Sequence, residues 1–156
     1  MAAALTAGIL ASCSFPHGPP PPFPGPPPQP RIAFPALPPV PSTPEAVRAE
    51  ITRWFWAKGY QIFQISALLG QARDESGYRP CAVGPAGLRY LFQWGGLRLQ
   101  RLYEFAGRRG CPPLDTQLAF ANSELRSEPK FACFWHARTA VAALSALRRG
   151  FGRGSC

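Results

Sequence analysis

The part of the sequence best suited to chemistry is residues 72–94, ARDESGYRPCAVGPAGLRYLFQW. Two acidic residues, Asp74 and Glu75, precede a loop rich in glycine and proline, and aromatic side chains follow that loop. The chain has only eight acidic residues against 17 basic ones. An adjacent pair of acids directly before a loop is therefore the first candidate for a catalytic group.

Glu75 has the setting of a general acid. It is predicted at the C-terminal end of a helix, where a carboxylate is unfavourable because that end of the helix dipole is already negative. Partial burial against aromatic rings would raise its pKa further, and a carboxylic acid that keeps its proton near neutral pH can act as a general acid. Asp74 points about 100° away around the helix, so only one of the two acids can face the loop. The alternative is that both lie on the surface and pair with Arg73 or Arg79.

The loop resembles the signature of the lysozyme-like soluble lytic transglycosylases. That signature reads ES, then an aromatic residue, Pro, Ala, a small residue, Gly and finally GLMQ. Here ESGYRPCAVGPAG is followed by LFQ, and the distance from Glu75 to Gln93 matches without a gap. The phage tail lysozyme group is closer still, on LFQW and on later residues: Arg98, Leu102, Phe105, Ala106, residues 115–120, Glu124 and Leu125. The resemblance covers residues 60–150 and implies a mostly α, lysozyme-like helical domain that cleaves peptidoglycan.

The resemblance implies a role for each matching residue. Glu75 would be the catalytic acid that protonates the glycosidic oxygen between N-acetylmuramic acid and N-acetylglucosamine. Gln93 would line the cleft near the acid, or else anchor a loop through backbone hydrogen bonds. Ser76 would support Glu75 or cap the helix end. Tyr78 and Trp94 would either stack on sugar rings as substrate-binding residues or fill the core.

Muramidase and lytic transglycosylase chemistry both remain open at this point. A transglycosylase uses the same carboxylate as a base while the C6 hydroxyl of the sugar attacks, whereas a hydrolase uses water and commonly a second carboxylate. Asp115 is the best candidate for that second carboxylate, although capping of a helix start would also explain it. No metal or organic cofactor is expected, since no metal-binding spacing of Cys and His occurs.

Two bulky residues depart from the family pattern. Tyr90 stands where the family has Gly before LFQ or LMQ, and Leu88 stands where it often has Ala. Phage-type domains also often finish with an aromatic-Glu-x-Pro motif, whereas residues 151–154 read FGRG. Because bulky side chains could block the cleft, the alternative function is a catalytically inactive lysozyme-like protein that binds the cell wall or has a structural role.

Five helices are predicted to position these residues. Thr43 and Pro44 fit an N-cap followed by proline, Ser42 and Glu45 fit a capping box, and Gly59 offers a stop. Apolar residues at helical spacing predict the next four helices over about 61–76, 97–108, 114–125 and 129–149.

The sequence before the helices divides into two segments. Residues 1–15 read as a signal or lipoprotein leader, and Leu10–Cys13 resembles a lipobox, which would make Cys13 a membrane tether. Residues 16–41 are a Pro-rich linker, predicted to be disordered and to reach about 80 Å when extended. The lysozyme-like domain then spans residues 42–150, and residues 151–156 form a flexible tail.

The charge balance favours an anionic partner. A net charge of +9 attracts polyanions, but no nucleic-acid-binding spacing is present, so no specific nucleic acid is expected. The expected partner is the glycan strand of peptidoglycan. The expected location is outside the cytoplasm, periplasmic or associated with the cell envelope, or in a phage virion. If Cys13 is lipidated, the other four cysteines could form two disulfides.

Overall fold

The computed structural model describes residues 43–152, and the predicted leader, the Pro-rich linker, Cys13 and the last four residues lie outside this part. The described residues form six α-helices and two short 3-10 helices, joined by turns and loops, and they contain no β-strand. The prediction of a mostly α, lysozyme-like helical domain is confirmed. The helices are α1 (Pro44–Ala57), α2 (Ile62–Ser76), α3 (Gly96–Ala106), α4 (Leu114–Ser127), α5 (Ala132–His136) and α6 (Ala140–Phe151), with 3-10 turns at Pro85–Gly87 and Pro129–Phe131.

Helix α1 begins and buries one face as its sequence predicts. The Thr43 hydroxyl accepts a hydrogen bond from the backbone N–H of Ala46 at 3.2 Å, and proline occupies the first helical position. Val47, Ile51 and Phe55 are fully buried. Because complete burial of such a side chain contributes about 1.5–3 kcal/mol, these residues fix α1 against the remainder of the core.

Helix α2 is the central helix of the domain and carries Glu75 in its last turn. It packs against both α1 and α6, so its apolar side chains are covered on more than one side. Gly77 then adopts the left-handed conformation, with φ of 60°, which is a common way for a helix to end. The end of α2 therefore coincides with the start of the loop that follows Glu75.

The predicted fifth helix over 129–149 is wrong as a single element. The chain forms a 3-10 turn, the short helix α5, an extended break at residues 137–139, and then α6. The Thr139 hydroxyl accepts from the N–H of Ala142 at 3.2 Å, so Thr139 starts a new helix. The break lets Phe131 and Phe134 on one side and Leu147 on the other all reach the core.

Phe151, assigned by the sequence to the flexible tail, is the last residue of α6. Its ring stacks on Phe92 with centroids 5.9 Å apart and meets Phe131 edge-on at 5.0 Å. Helix α6 therefore extends one residue beyond the predicted domain boundary at residue 150, because the Phe151 ring packs against these two rings. None of the helices between residues 43 and 152 is both long and apolar enough to cross a bilayer.

Candidate active site

Glu75 projects from the last turn of α2 into a cavity of about 400 Å³. Side chains from α2, the following loop, α3 and α6 form its walls. The lining residues are Gln71, Glu75, Leu88, Phe92, Gln93, Arg98, Arg148, Phe151 and Gly152. The cavity therefore joins parts of the chain that are far apart in sequence, with one carboxyl group among them.

Burial raises the pKa of Glu75 above its usual range. The nearby charges of Arg98 and Arg148 act in the opposite direction but do not outweigh the loss of solvent, and the negative charge of Asp74 adds to the rise. The Glu75 carboxylate accepts a hydrogen bond of 2.6 Å from the Gln71 amide nitrogen, which favours the charged form and lowers the pKa without reversing the rise. A carboxyl group in this environment holds its proton more tightly than one in water, as a general acid must.

Asp74 has a different environment from its neighbour. It is ion-paired with Arg73 at 3.0 Å and with Arg148, and hydrogen bonds to these guanidinium groups lower its pKa. Asp74 is not among the residues that line the cavity. The helix therefore separates the two acids, so that Glu75 faces the cavity and Asp74 faces basic side chains at the surface.

The loop after α2 places Tyr90 away from the cavity. Tyr90 has a φ of 71°, in the left-handed region that favours glycine, which gives a physical reason for the Gly of the family pattern. Its side chain is buried, and its hydroxyl lies 3.0 Å from that of Tyr103 on α3. The expectation that Tyr90 obstructs the cleft is therefore wrong, whereas Leu88 does form part of the cavity wall.

Gln93 lines the cavity and also anchors the loop. It is only 6% exposed, and its amide nitrogen donates to the backbone carbonyl of Tyr90 at 2.9 Å. A Cβ atom on Gly84 would come within 1.8 Å of the Gln93 side-chain oxygen, so glycine is needed there for the amide to fit. The two roles that the sequence left open for Gln93 therefore coexist in one side chain.

Trp94 is a core residue and is out of reach of a sugar ring. It is fully buried, and its indole N–H donates to the Glu124 carboxylate at 2.9 Å. The same carboxylate accepts two hydrogen bonds from Arg98, at 2.7 and 2.8 Å. Arg98 also lies over the Phe151 ring, with its guanidinium carbon 4.7 Å from the ring centroid, and lines the cavity. Glu124 therefore holds the guanidinium of Arg98 in the wall of the cavity that contains Glu75.

Three other predicted site residues lie apart from the cavity lining. Ser76 is buried, and its hydroxyl donates to the carbonyl of Ala72 at 2.9 Å, which agrees with a role at the helix end. Tyr78 lies under the guanidinium of Arg48, 5.8 Å from the ring centroid. Asp115 is exposed in the first turn of α4 and accepts from the N–H of Thr116 at 2.8 Å. None of the three is among the residues that line the Glu75 cavity.

Gln117 and the disulfide fix the loop on the side away from the cavity. The fully buried Gln117 amide donates to the carbonyls of Pro80 and Pro112 and accepts from the N–H of Leu91. Cys81 forms a disulfide with Cys111, and Cys133 is also disulfide-bonded. No group of three or more metal-binding side chains occurs between residues 43 and 152.

Several residues that line the cavity or support its walls were not among the predicted site residues. Gln71 precedes Glu75 by four residues, so helical spacing could have found it. Gln117 and Glu124 are seven residues apart on the apolar face of α4, and a polar residue on such a face indicates a buried hydrogen-bonding role. No local signal points to Arg148, since only the packing of α6 on α2 brings it to the cavity.

A helical domain that presents a partly buried carboxyl from a helix end into an open cavity has the organisation of a lysozyme-like protein. The family model of the phage tail lysozyme matches residues 46–153, and the chain belongs to this family. No curated protein and no solved structure matches the chain. The family gives the protein a lysozyme-like, peptidoglycan-cleaving role, with peptidoglycan as substrate and an association with phage or with the cell envelope.

Proposed function

We propose that the domain is a lytic transglycosylase that cleaves the β-1,4 bond between N-acetylmuramic acid and N-acetylglucosamine, with Glu75 as general acid and then general base. The observation that carries the proposal is the position of Glu75 as the single carboxylate side chain on the cavity wall. All eight acidic side chains of the protein lie within the described residues. None of the other seven lines that cavity.

The single carboxylate favours transglycosylation over hydrolysis. Glycoside hydrolases place a second carboxylate about 5–9.5 Å from the acid, as nucleophile or as base for water. Asp115 is engaged at the start of α4 and Glu124 is engaged with Arg98 and Trp94. A reaction that uses one carboxyl group twice needs no second one.

The proposed steps balance on Glu75 alone. The protonated carboxyl gives its proton to the glycosidic oxygen, and the bond from that oxygen to C1 of the muramic acid breaks. The resulting carboxylate then takes the proton of the C6 hydroxyl of the same sugar as the C6 oxygen bonds to C1. The products are a free 4-hydroxyl on N-acetylglucosamine and a 1,6-anhydro sugar, and Glu75 is protonated again.

The cavity charge supports the second half of this reaction. Arg98 and Arg148 attract the carboxylate that forms when Glu75 loses its proton, and opposite charges within a partly buried site stabilise the charged form. Gln93 gives the wall a fixed amide, and Leu88 and Phe92 provide apolar surface for a sugar ring. The high positive charge of the chain suits an anionic wall.

The proposal assigns export and spacing to the segments before residue 43. An exporting leader over residues 1–15, with or without lipidation at Cys13, and a Pro-rich spacer over 16–41 would place the domain within reach of the wall. Membrane release on Cys13→Ala would support a tether, whereas unchanged partitioning would contradict it.

Digestion of purified peptidoglycan tests the enzyme, with products read by mass spectrometry. Wild type should release fragments with anhydro ends, and Glu75→Gln should release none while it stays folded and bound to the wall. Reducing ends from the wild type would indicate hydrolysis instead. A folded wild type that binds the wall but releases nothing would support the inactive wall-binding alternative. In that case Leu88→Ala shows whether the remaining bulky residue blocks the cavity, because removal of the block should restore release.

A further inference from the structure

The Gln71 side chain is bonded to Glu75 at one end of its amide and, in the described part of the chain, is unpaired at the other end. Gln71 lies one helical turn before Glu75, is only 2% exposed, and lines the same cavity. Its amide nitrogen is 2.6 Å from the Glu75 carboxylate. Its amide oxygen is buried and has no hydrogen-bond partner within residues 43–152. Buried polar atoms are nearly always paired, because an unpaired one has lost its hydrogen bonds to water without replacement.

A carboxyl group that gives and then takes a proton presents its neighbour with two different requirements. The carboxylate needs a hydrogen-bond donor, and the carboxylic acid needs an acceptor for its own proton. A glutamine amide holds both groups, a donor nitrogen and an acceptor oxygen, at the ends of one planar unit of nearly symmetric shape. A half turn about its last torsion exchanges the two, and that torsion is broad and roughly two-fold.

Because the Gln71 oxygen is unpaired within the described residues, this half turn breaks no existing hydrogen bond at the end of the amide that faces away from Glu75. A glutamine with both ends bonded would lose a bond on turning. The missing partner, otherwise unexplained, is thus the feature that leaves the amide free to follow the proton.

We propose that Gln71 is a positioning residue for Glu75, which keeps one hydrogen bond to this carboxyl in both of its protonation states by turning its terminal amide over. The inference rests on the proposed role of Glu75 as acid and then base. It assigns to Gln71 the task of holding the carboxyl in one place through the whole reaction, while Arg98 and Arg148 attract the charged form and Asp74 opposes it.

The proposal differs measurably from a one-way donor. A residue that only donates to the carboxylate favours the charged form, so its loss would raise the pKa of Glu75 and move the limb of the pH–rate profile that Glu75 controls. A residue that bonds to both forms also stabilises the acid, so its loss moves this limb less than the loss of a one-way donor does, although the bond to the charged form is the stronger of the two. Its loss then lowers kcat through misplacement of the carboxyl, by roughly 10–100-fold, and leaves KM unchanged.

The decisive variant is Gln71→Met in the full chain, because methionine keeps the length and volume of glutamine without the amide. We expect a lower kcat for release of peptidoglycan fragments, an unchanged KM and a limb that moves to higher pH by less than about one pH unit. A kcat equal to that of the wild type, or a limb that moves up by clearly more than about one pH unit, would overturn the proposal. Absence of release by the wild type would instead contradict the proposed function.

An NMR titration tests the inference without activity. In the wild type, the Glu75 carboxyl carbon and the Gln71 side-chain amide should change with one common midpoint, and the short distance between the amide protons and Glu75, read from nuclear Overhauser effects, should be present above it and lost below it. The Glu75 midpoint should rise by less than about one pH unit in Gln71→Met. Amide protons that stay close to Glu75 on both sides of the midpoint, or a midpoint that rises by clearly more than about one unit in the variant, would refute it. If Gln71→Met does not fold, the wild-type titration alone decides.

Discussion

Removal of the charge on Glu124 should destabilise the domain more than the loss of any exposed ion pair would. The Glu124 side chain is 4% exposed and that of its partner Arg98 is 18% exposed, so both charges are largely out of water. Glu124→Gln keeps an oxygen for the Trp94 indole but leaves Arg98 without a counter-charge. Loss of one partner from a buried pair typically costs about 3–5 kcal/mol. For a domain of this size that corresponds to a fall in Tm of roughly 12–20 °C.

The assay is urea unfolding of four proteins: wild type, Glu124→Gln, Arg98→Met and the double variant. Because the double variant leaves no unpaired charge, its loss should be smaller than the sum of the two single losses, with a coupling of about 2–3 kcal/mol. Arg53→Met is a matched control, since Arg53 pairs with Glu50 at the surface and its replacement should leave the free energy of unfolding nearly unchanged. A loss below about 1 kcal/mol for Glu124→Gln, with no coupling to Arg98, would show that solvent screens the pair and that its charges are not effectively buried.

The raised pKa of Glu75, the close contact at Gly84 and the Cys81–Cys111 disulfide each have a measurable consequence. Glu75→Gln should raise the free energy of unfolding at pH 7, because the raised pKa means that the ionised carboxyl opposes folding; the gain should fade below about pH 4, and a loss at pH 7 would contradict it. Gly84→Ala should cost about 1–3 kcal/mol in urea unfolding and reduce glycan release, because the new methyl group displaces the Gln93 amide, and an unchanged midpoint would be inconsistent with that contact. Replacement of Cys81 and Cys111 together by Ala should cost about 3.6 kcal/mol, from the 30-residue separation that the disulfide closes, and a loss under about 1 kcal/mol would argue against that entropic origin.

Local signals in the sequence were sufficient for most helices. The Thr43–Pro44 start of α1 and the four helices through residue 127 agree with the prediction to within a few residues, because caps, glycines and apolar spacing act within a few turns. The prediction failed where a helix was interrupted without glycine or proline. Thr139 caps a new helix there, and the aromatic residues before it pack into the core.

Residues 72–94 are enough to predict that a carboxyl group stands at the end of α2 before a turning loop, and that only one of the two adjacent acids can face that loop. Helix geometry decides both points, and it needs only neighbouring residues. Long-range packing is needed to know which side chains surround Glu75, that Trp94 and Tyr90 turn into the core, and which cysteine Cys81 joins. These facts depend on contacts between residues far apart in the chain, and no local pattern records which helix will pack against which.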